Sequence, residues 1–221
     1  MHNRYAQQIR ALLSPVEARV FAKLSSSKKI QDFLEALPQH FVTSREEMLS
    51  PRGVLAQNTA HCMEGAVFAA AALAYHGRPP LVMDFQTTEY DEDHVICVFK
   101  EHGLWGAISK TNHPVLRWRD PIYKSVRELA MSYAHEYFMW HKKDGKKLGI
   151  KTLRAYSKPF DLSRYKPERW VTVEDISWLA DPLDEPPHSP IAPTLAIRNL
   201  RRATKVEIKA MQLEEWGQGD K

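Results

Sequence analysis

The sequence has only two cysteines, no glycine-rich loop, no long apolar run and little excess charge. Cys62 and Cys97 are too few for a disulfide framework, so we expect a protein of the reducing cytoplasm. The nine glycines are scattered singly and form no phosphate-binding loop. The most apolar stretch, residues 66–75, is too short to span a membrane. A net charge of +4, from 31 basic and 27 acidic residues, indicates no particular partner.

The most distinctive stretch is a predicted buried helix that carries a cysteine in its first turn. Residues 63–73 are mostly small and apolar, which is typical of a helix covered on most sides. Asn58 and Thr59 are residue types that cap helices, and they place Cys62 near the helix start. Free backbone N–H groups and the helix dipole favour a thiolate at that position. A buried, inert cysteine is the alternative interpretation.

Three strands are predicted after this helix. Leu81–Phe85 is a short apolar run, and His94–Lys100 is the segment richest in β-branched and aromatic residues. After a turn at Glu101–Gly103, the segment Leu104–Ser109 returns as the partner strand. Cys97 shares one face of its strand with Val95 and Phe99, which indicates a core position.

This order of elements resembles the transglutaminase-like branch of the papain-type cysteine enzymes over about residues 54–120. The shared features are a buried helix that opens with Cys62, a strand that opens with His94, and a hairpin with Trp105 in its return strand. The resemblance implies that Cys62 is the nucleophile and His94 the base, with no cofactor. It also implies an Asp or Asn near the end of the next strand that orients the imidazole.

Two departures from the family pattern affect the predicted site. Ala60–His61 stands where the family usually has glycine and an acidic or polar residue, and the Asp-Pro that commonly follows the return strand is missing. For the third catalytic position we prefer Asn112, which has the required chemistry. Ser109, the nearest by hairpin register, and Asp120, which precedes a proline, are the alternatives.

Gln57 is the candidate for the oxyanion site. Papain-type enzymes place a glutamine a few residues before the cysteine, and its amide joins the cysteine N–H in binding the oxyanion. Gln57 lies five residues before Cys62 and matches that role, with an exposed loop glutamine as the alternative. His61 points about 100° away from Cys62 on a helix, so it is not expected to be the base.

No metal site is predicted from the sequence. His61, Cys62, His94 and His113 have no recognised zinc-ligand spacing. The zinc deaminase pattern fails as well, because no Pro-Cys-x-x-Cys segment follows.

Basic residues are concentrated towards the C-terminus, at 142–147 and in a stripe from Arg198 to Lys209. Acidic residues are interleaved and no nucleic-acid-binding motif is present, so a solvated surface is the default interpretation. We expect no specific nucleic-acid binding and only weak, salt-sensitive non-specific binding. A docking helix for an anionic partner or a dimer arm is the alternative.

The remaining elements follow from hydrophobic periodicity and from Gly, Pro and Ser positions. Helices are predicted at 2–13, 15–24, 28–37, 126–140, 174–180 and 197–216, with a helical turn at 45–49 and strands at 151–156 and 170–173. The aromatic residues of the helix at 126–140 are interpreted as core.

The sequence therefore predicts an α+β fold with N-terminal helices and a cysteine-bearing helix packed on an antiparallel sheet. Residues 1–180 are expected to form one transglutaminase-like domain, followed at 181–221 by a Pro-rich segment and a basic helix. The predicted function is cysteine-dependent acyl transfer, or hydrolysis of an amide or peptide. The alternative is a catalytically silent binding or scaffold module of the same fold.

Overall fold

A computed structural model describes residues 2–41, 47–140 and 148–211. The helices in these ranges are α1 (His2–Leu12), α2 (Pro15–Lys23), α3 (Ser27–Glu35), α4 (Pro51–Gln57), α5 (Cys62–Tyr75), α6 (Val126–Tyr133), α7 (Ala180–Asp184), α8 (Thr194–Arg198) and α9 (Lys205–Met211). The strands are β1 (Leu81–Gln86), β2 (His94–Glu101), β3 (Leu104–Ile108), β4 (Arg119–Tyr123), β5 (Ala155–Tyr156), β6 (Phe160–Asp161) and β7 (Ser189–Pro190). The mixed α+β class predicted from the sequence is confirmed.

The strands form one antiparallel sheet in the order β4-β3-β2-β1-β5-β7, and β6 also pairs with β1. A two-residue turn joins β2 to β3, because Glu101 pairs directly with Leu104. His102 and Gly103 both have positive φ, 52° and 82°, which matches the twist of a tight hairpin. This hairpin fixes the register between the strand that opens with His94 and the strand that leads to Ser109.

Helix α5 is covered along almost its whole length. Residues 63–74 are all buried, and most of them are alanine or glycine, so the helix axis lies close to the sheet. On β2, Val95, Cys97 and Phe99 pack on the α5 side of the sheet. Ile96 and Val98 pack with α6 on the other side. The predicted core position of Cys97 is confirmed, and burial raises the pKa of its thiol.

Gly65 sets the distance between α5 and the segment that follows β3. A Cβ atom at Gly65 would lie 2.5 Å from the Cβ of Lys110, closer than real Cβ atoms approach. Lys110 is buried, and its Nζ donates to the carbonyl of Leu37 at 2.6 Å. Ser109 is the preceding residue, so this contact also fixes where Ser109 lies.

Helices α1 to α3 confirm the three N-terminal predictions, whereas the helix expected at 126–140 ends at Tyr133. Phe138 forms an antiparallel bridge with Lys151, so the chain is already extended there. Tyr137 consequently lies between a helix and a bridge instead of within a helical turn.

Two other predicted elements were wrong in kind or extent. Residues 170–173 are not a strand, because Trp170 ends a 3₁₀ helix at Pro167–Arg169 and donates its indole N–H to the Tyr5 hydroxyl at 3.0 Å. The strand at 151–156 is reduced to β5 and the Lys151 bridge.

The C-terminal predictions were confirmed only in part. The short helix at 174–180 is a 3₁₀ turn, Ser177–Leu179, that continues into α7. The helix at 197–216 is divided into α8 and α9, because the intervening Ala203 N–H bonds to the Gly149 carbonyl. The basic cluster at 142–147, the end of the last helix beyond Met211 and residues 45 and 46 of the predicted turn at 45–49 lie outside the described residues. The rest of that turn is wrong, because residues 47–49 are not helical and Leu49 forms a bridge with Asp175.

The Pro-rich segment after residue 180 contributes to the main sheet. Strand β7 pairs with β5, and the adjacent Ile191 is buried in the core on the α6 side. None of the helices in residues 2–41, 47–140 and 148–211 combines the length and apolar character needed to cross a bilayer.

The close approach at Gly65 predicts the effect of a single methyl group. Gly65→Ala should lower the free energy of unfolding by about 1–3 kcal/mol, because an overpacked core must shift side chains or backbone. Urea denaturation followed by circular dichroism measures this change. Gly53→Ala in α4 is the control, because the added Cβ would lie 3.2 Å from its nearest neighbour, a side-chain atom of Leu49. Equal stability of the two variants would contradict the role given to Gly65.

Candidate active site

Cys62 is the first residue of α5, and His61 is the N-cap. The His61 Nδ1 accepts from the Met63 N–H at 3.1 Å, and the Glu64 carboxylate accepts from the His61 N–H at 2.9 Å. This reciprocal arrangement is a capping box with histidine in the place usually taken by serine or threonine. The predicted position of Cys62 in the first turn is confirmed.

The cap itself was predicted at the wrong residues. Asn58 has φ 53° and ends α4 in the left-handed conformation, so it belongs to the preceding helix. The Thr59 hydroxyl donates to the Pro38 carbonyl at 3.0 Å instead of capping α5. Asn58 therefore ends the preceding helix, Thr59 binds the segment after α3, and His61 caps α5.

Glu64 joins three segments at the start of the cysteine helix. Its carboxylate is fully buried and accepts from the backbone N–H of Leu49 at 2.8 Å and of His61 at 2.9 Å. The His40 Nδ1 lies 2.9 Å and 3.0 Å from its two oxygens, and the His40 and His61 rings stack with centroids 6.1 Å apart. The link between Glu64 and His40, which are 24 residues apart, has no local signal in the sequence.

Cys62, His94 and Asn112 line the same cavity of about 260 Å³. The helix start and the first residue of β2 thus contribute to one site, as the sequence predicts. Gln57 is the exposed last residue of α4 and is not among the lining residues. Asp120 is exposed on β4 and also lies outside the lining.

His94 is 6% exposed, and its Nε2 lies 2.8 Å from the hydroxyl oxygen of Ser109. The Ser109 hydroxyl donates its single hydrogen to the Leu116 carbonyl at 2.5 Å. Ser109 must therefore accept from His94, which places the ring hydrogen on Nε2. The Nδ1 lone pair is then available as a base.

Ser109 takes the contact for which the sequence favours Asn112. It is held on both backbone groups, since its N–H donates to Gln31 Oε1 and its carbonyl accepts from Gln31 Nε2, each at 2.9 Å. Asn112 lines the same cavity and is 9% exposed. Gln31 and Leu116 were missed by the sequence analysis because no motif marks either of them.

Desolvation decides the protonation of the half-buried Cys62 and of the buried His94. It raises the pKa of the Cys62 thiol to about 11, although hydrogen bonds from the Val95 and Met63 N–H groups act in the opposite direction. Burial also lowers the pKa of His94 to about 4, against the effect of the Leu116 carbonyl. The resting pair near neutral pH is thus a thiol and a neutral imidazole. The thiolate expected from the helix dipole alone is overturned by desolvation.

Four acidic side chains are among the residues that line the cavity, namely Asp91, Glu92, Asp93 and Glu136. The Asp91 carboxylate accepts from the Thr152 hydroxyl at 2.5 Å, and the Glu92 carboxylate raises the pKa of Cys62 through its charge. Negative charge in the cavity lining disfavours the binding of anionic ligands and the thiolate form of Cys62.

Three aspartates form a candidate group of metal ligands, and one of them, Asp93, lines the cavity that contains Cys62. In the described part of the chain, Asp84, Asp93 and Asp184 form the one group of three metal-ligating side chains with ligand atoms within 4.8 Å of one another. His188 Nε2 lies 3.1 Å from Asp84 Oδ2. Burial and the Asp93 charge raise the pKa of Asp84 to about 7, and His188 opposes this rise.

The raised pKa of Cys62 gives a pH prediction. Because only the thiolate is alkylated, the rate of iodoacetamide labelling at Cys62 should rise about tenfold per pH unit from neutral pH towards pH 11. Peptide mapping by mass spectrometry separates Cys62 from Cys97, and circular dichroism checks that the fold persists. A plateau of labelling below pH 8 would show a preformed thiolate–imidazolium pair instead.

Neither the protein-family models nor the curated proteins contain a match to this sequence.

Proposed function

We propose that this chain is a cysteine-dependent enzyme of the transglutaminase-like, papain-type kind, which transfers or hydrolyses the acyl group of an amide or peptide. The observation that carries the proposal is the joint placement of Cys62 and His94 in one cavity, with the His94 ring hydrogen accepted by Ser109. A nucleophile, a base with a free lone pair and an orienting acceptor are the three parts that such a reaction requires.

In the acylation step the Cys62 sulfur attacks the substrate carbonyl carbon while His94 Nδ1 takes the thiol proton. The carbonyl π electrons move to oxygen and form a tetrahedral oxyanion. The Cys62 backbone N–H belongs to the first helical turn, where N–H groups lack intrahelical acceptors, and it binds this oxyanion. The oxyanion then re-forms the carbonyl, the carbon–nitrogen bond breaks, and His94 returns the proton to the leaving amine.

In the deacylation step the thioester at Cys62 is attacked by water or by a second amine. His94 takes a proton from the attacking group and returns it to the Cys62 sulfur as the thioester breaks. Water yields a carboxylic acid, and an amine yields a new amide, so hydrolysis and acyl transfer use the same residues.

Because the Cys62 thiol and the His94 imidazole are both neutral at rest, the proton is transferred during the chemical step itself. The pKa of about 11 for Cys62 and of about 4 for His94 mean that no ion pair is stored before substrate arrives. The thiol proton must therefore pass to His94 while Cys62 attacks the bound substrate. General-base catalysis of this kind contributes roughly 10²–10⁴-fold to the rate.

The same pKa values favour a second candidate, a silent binding module of this architecture. A thiol held neutral by burial is a weak nucleophile, and the Asp-Pro of the family pattern is missing after β3. The two candidates differ in whether His94 accelerates any reaction at Cys62.

An activated ester distinguishes them. With p-nitrophenyl acetate, the wild-type chain should release p-nitrophenolate and carry an acetyl group on Cys62. Cys62→Ala should abolish the adduct, and His94→Ala should slow acylation on the order of 10²–10⁴-fold. Stopped-flow absorbance and peptide mass spectrometry give the rate and the site.

Asp120→Ala is the matched control for that measurement, because Asp120 is exposed on β4 and outside the cavity lining. It should acylate at the wild-type rate. Equal acylation rates in wild type and His94→Ala would sink the enzyme proposal and leave the silent module.

Ser109 and Asn112 give separate predictions, because Ser109 and not Asn112 contacts the imidazole in the described hydrogen bonds. Ser109→Ala should lower the acylation rate and destabilise the fold by about 1–3 kcal/mol, since the buried His94 N–H loses its acceptor. Asn112→Ala should leave the pH dependence of acylation unchanged. A larger change in the pH profile for Asn112→Ala than for Ser109→Ala would return the orienting role to Asn112.

A further inference from the structure

Tyr137 carries an unpaired hydroxyl in the wall of the cavity that contains Cys62. The residue is 2% exposed, and its hydroxyl oxygen has no hydrogen-bond partner among the described residues. It lines the same cavity as Cys62 and His94. A buried polar atom left without a partner costs about 1–3 kcal/mol, and such atoms call for a specific explanation.

The ring and backbone of Tyr137 are both in contact with neighbouring strands or segments, and these contacts position its hydroxyl oxygen. The Phe85 ring lies 5.8 Å away at an angle of 59°, and the Tyr137 carbonyl accepts from the Thr152 N–H at 3.2 Å. A preorganised donor of this kind needs no rearrangement when charge develops in front of it.

The neighbourhood of Tyr137 includes the nucleophile. Burial raises the pKa of the phenol well above its ordinary value, and the charge of the Cys62 thiolate is the largest contribution after burial. The phenol therefore stays protonated near neutral pH and keeps an O–H donor in the cavity that contains Cys62.

A second polar atom without a hydrogen-bond partner among the described residues belongs to the lining of the same cavity. Gln39 Oε1 is buried and has no hydrogen-bond partner in the described part of the chain. Gln39 pairs as a parallel bridge with Ala60, the residue directly before the N-cap of α5. A phenol O–H and an amide oxygen together offer one donor and one acceptor, which suits the C=O and N–H of an amide.

We infer that Tyr137 is a catalytic residue whose hydroxyl donates a hydrogen bond to the carbonyl oxygen of the acyl group attacked by Cys62. This inference rests on the proposed function and adds a side-chain donor to the Cys62 N–H. No proton is transferred from Tyr137. Its hydrogen bond shortens and strengthens as the carbonyl oxygen becomes an oxyanion.

The test compares two reactions of the same thiol. Acylation by p-nitrophenyl acetate passes through an oxyanion, whereas alkylation by iodoacetamide displaces iodide and forms none. Tyr137→Phe should lower the acylation rate constant on the order of 10²–10³-fold, the usual effect of losing one oxyanion donor. It should leave the alkylation rate at Cys62 unchanged, because the thiol and His94 are untouched.

Tyr133→Phe is the matched control. Tyr133 is equally buried and its ring lies 5.2 Å from that of Phe85, but its hydroxyl donates to the Arg117 carbonyl at 2.9 Å. This variant should lose stability, since a carbonyl is left without its donor, and should keep the wild-type acylation rate. Tyr137→Phe should unfold at the wild-type urea concentration or above it, because no partner is stranded.

The acylation and alkylation rates of these variants separate the role of Tyr137 from the proposed function. Acylation of Tyr137→Phe at the wild-type rate overturns the role of Tyr137 and leaves the proposed function standing. Slowing of acylation and alkylation by the same factor also overturns it, since the hydroxyl would then act on the thiol. Wild-type acylation no faster than that of Cys62→Ala overturns both proposals. Tyr137→Met supplies a second variant without the hydroxyl and should reproduce the selective loss.

Discussion

The buried carboxylate of Glu64 is the interaction on which the candidate site depends. It is one residue of α5, yet it binds groups from the segment after α3, from the segment before α4 and from the cap of α5 itself. Removing a carboxylate from water is costly, and several hydrogen bonds must compensate for it. Because those bonds come from three segments, the position of Cys62 is set by the packing of the N-terminal helices as much as by its own helix.

A second consequence of this packing is the electrostatic state of the site. The start of a helix favours negative charge, and the Met63 and Val95 N–H groups do lower the pKa of Cys62. Desolvation is nevertheless larger, so the thiol and the imidazole are both neutral at rest. Such a site protects its sulfur from adventitious electrophiles and oxidants, which react with thiolates.

The sequence was informative where structure depends on neighbours along the chain. Periodicity located α1 to α3, and the β-branched residues located β2 and the hairpin that follows it. The first-turn position of Cys62 and the strand-opening position of His94 followed from the same local patterns. These are features that a few adjacent residues determine.

The remaining features depend on contacts between distant segments. Ser109 rather than Asn112 reaches His94, because Lys110 is fixed between Gly65 and Leu37 and Gln31 holds the backbone at Ser109. The interpretation of Tyr137 as ordinary core was incomplete for a similar reason. Its helix ends early, and only the fold shows that its hydroxyl has no partner among the described residues.

The two hydrogen bonds between Gln31 and Ser109 also affect the sheet where β3 ends. The side-chain amide of Gln31 offers the same donor and acceptor as a backbone peptide group and pairs with both backbone groups of Ser109. A helix side chain thus acts as a single residue of an additional strand at the point where β3 ends. It satisfies the backbone of a residue that has left the sheet ladder, and it denies that backbone to a competing strand. Ser109, which accepts from His94, is consequently held on both of its backbone groups although it lies outside the strand.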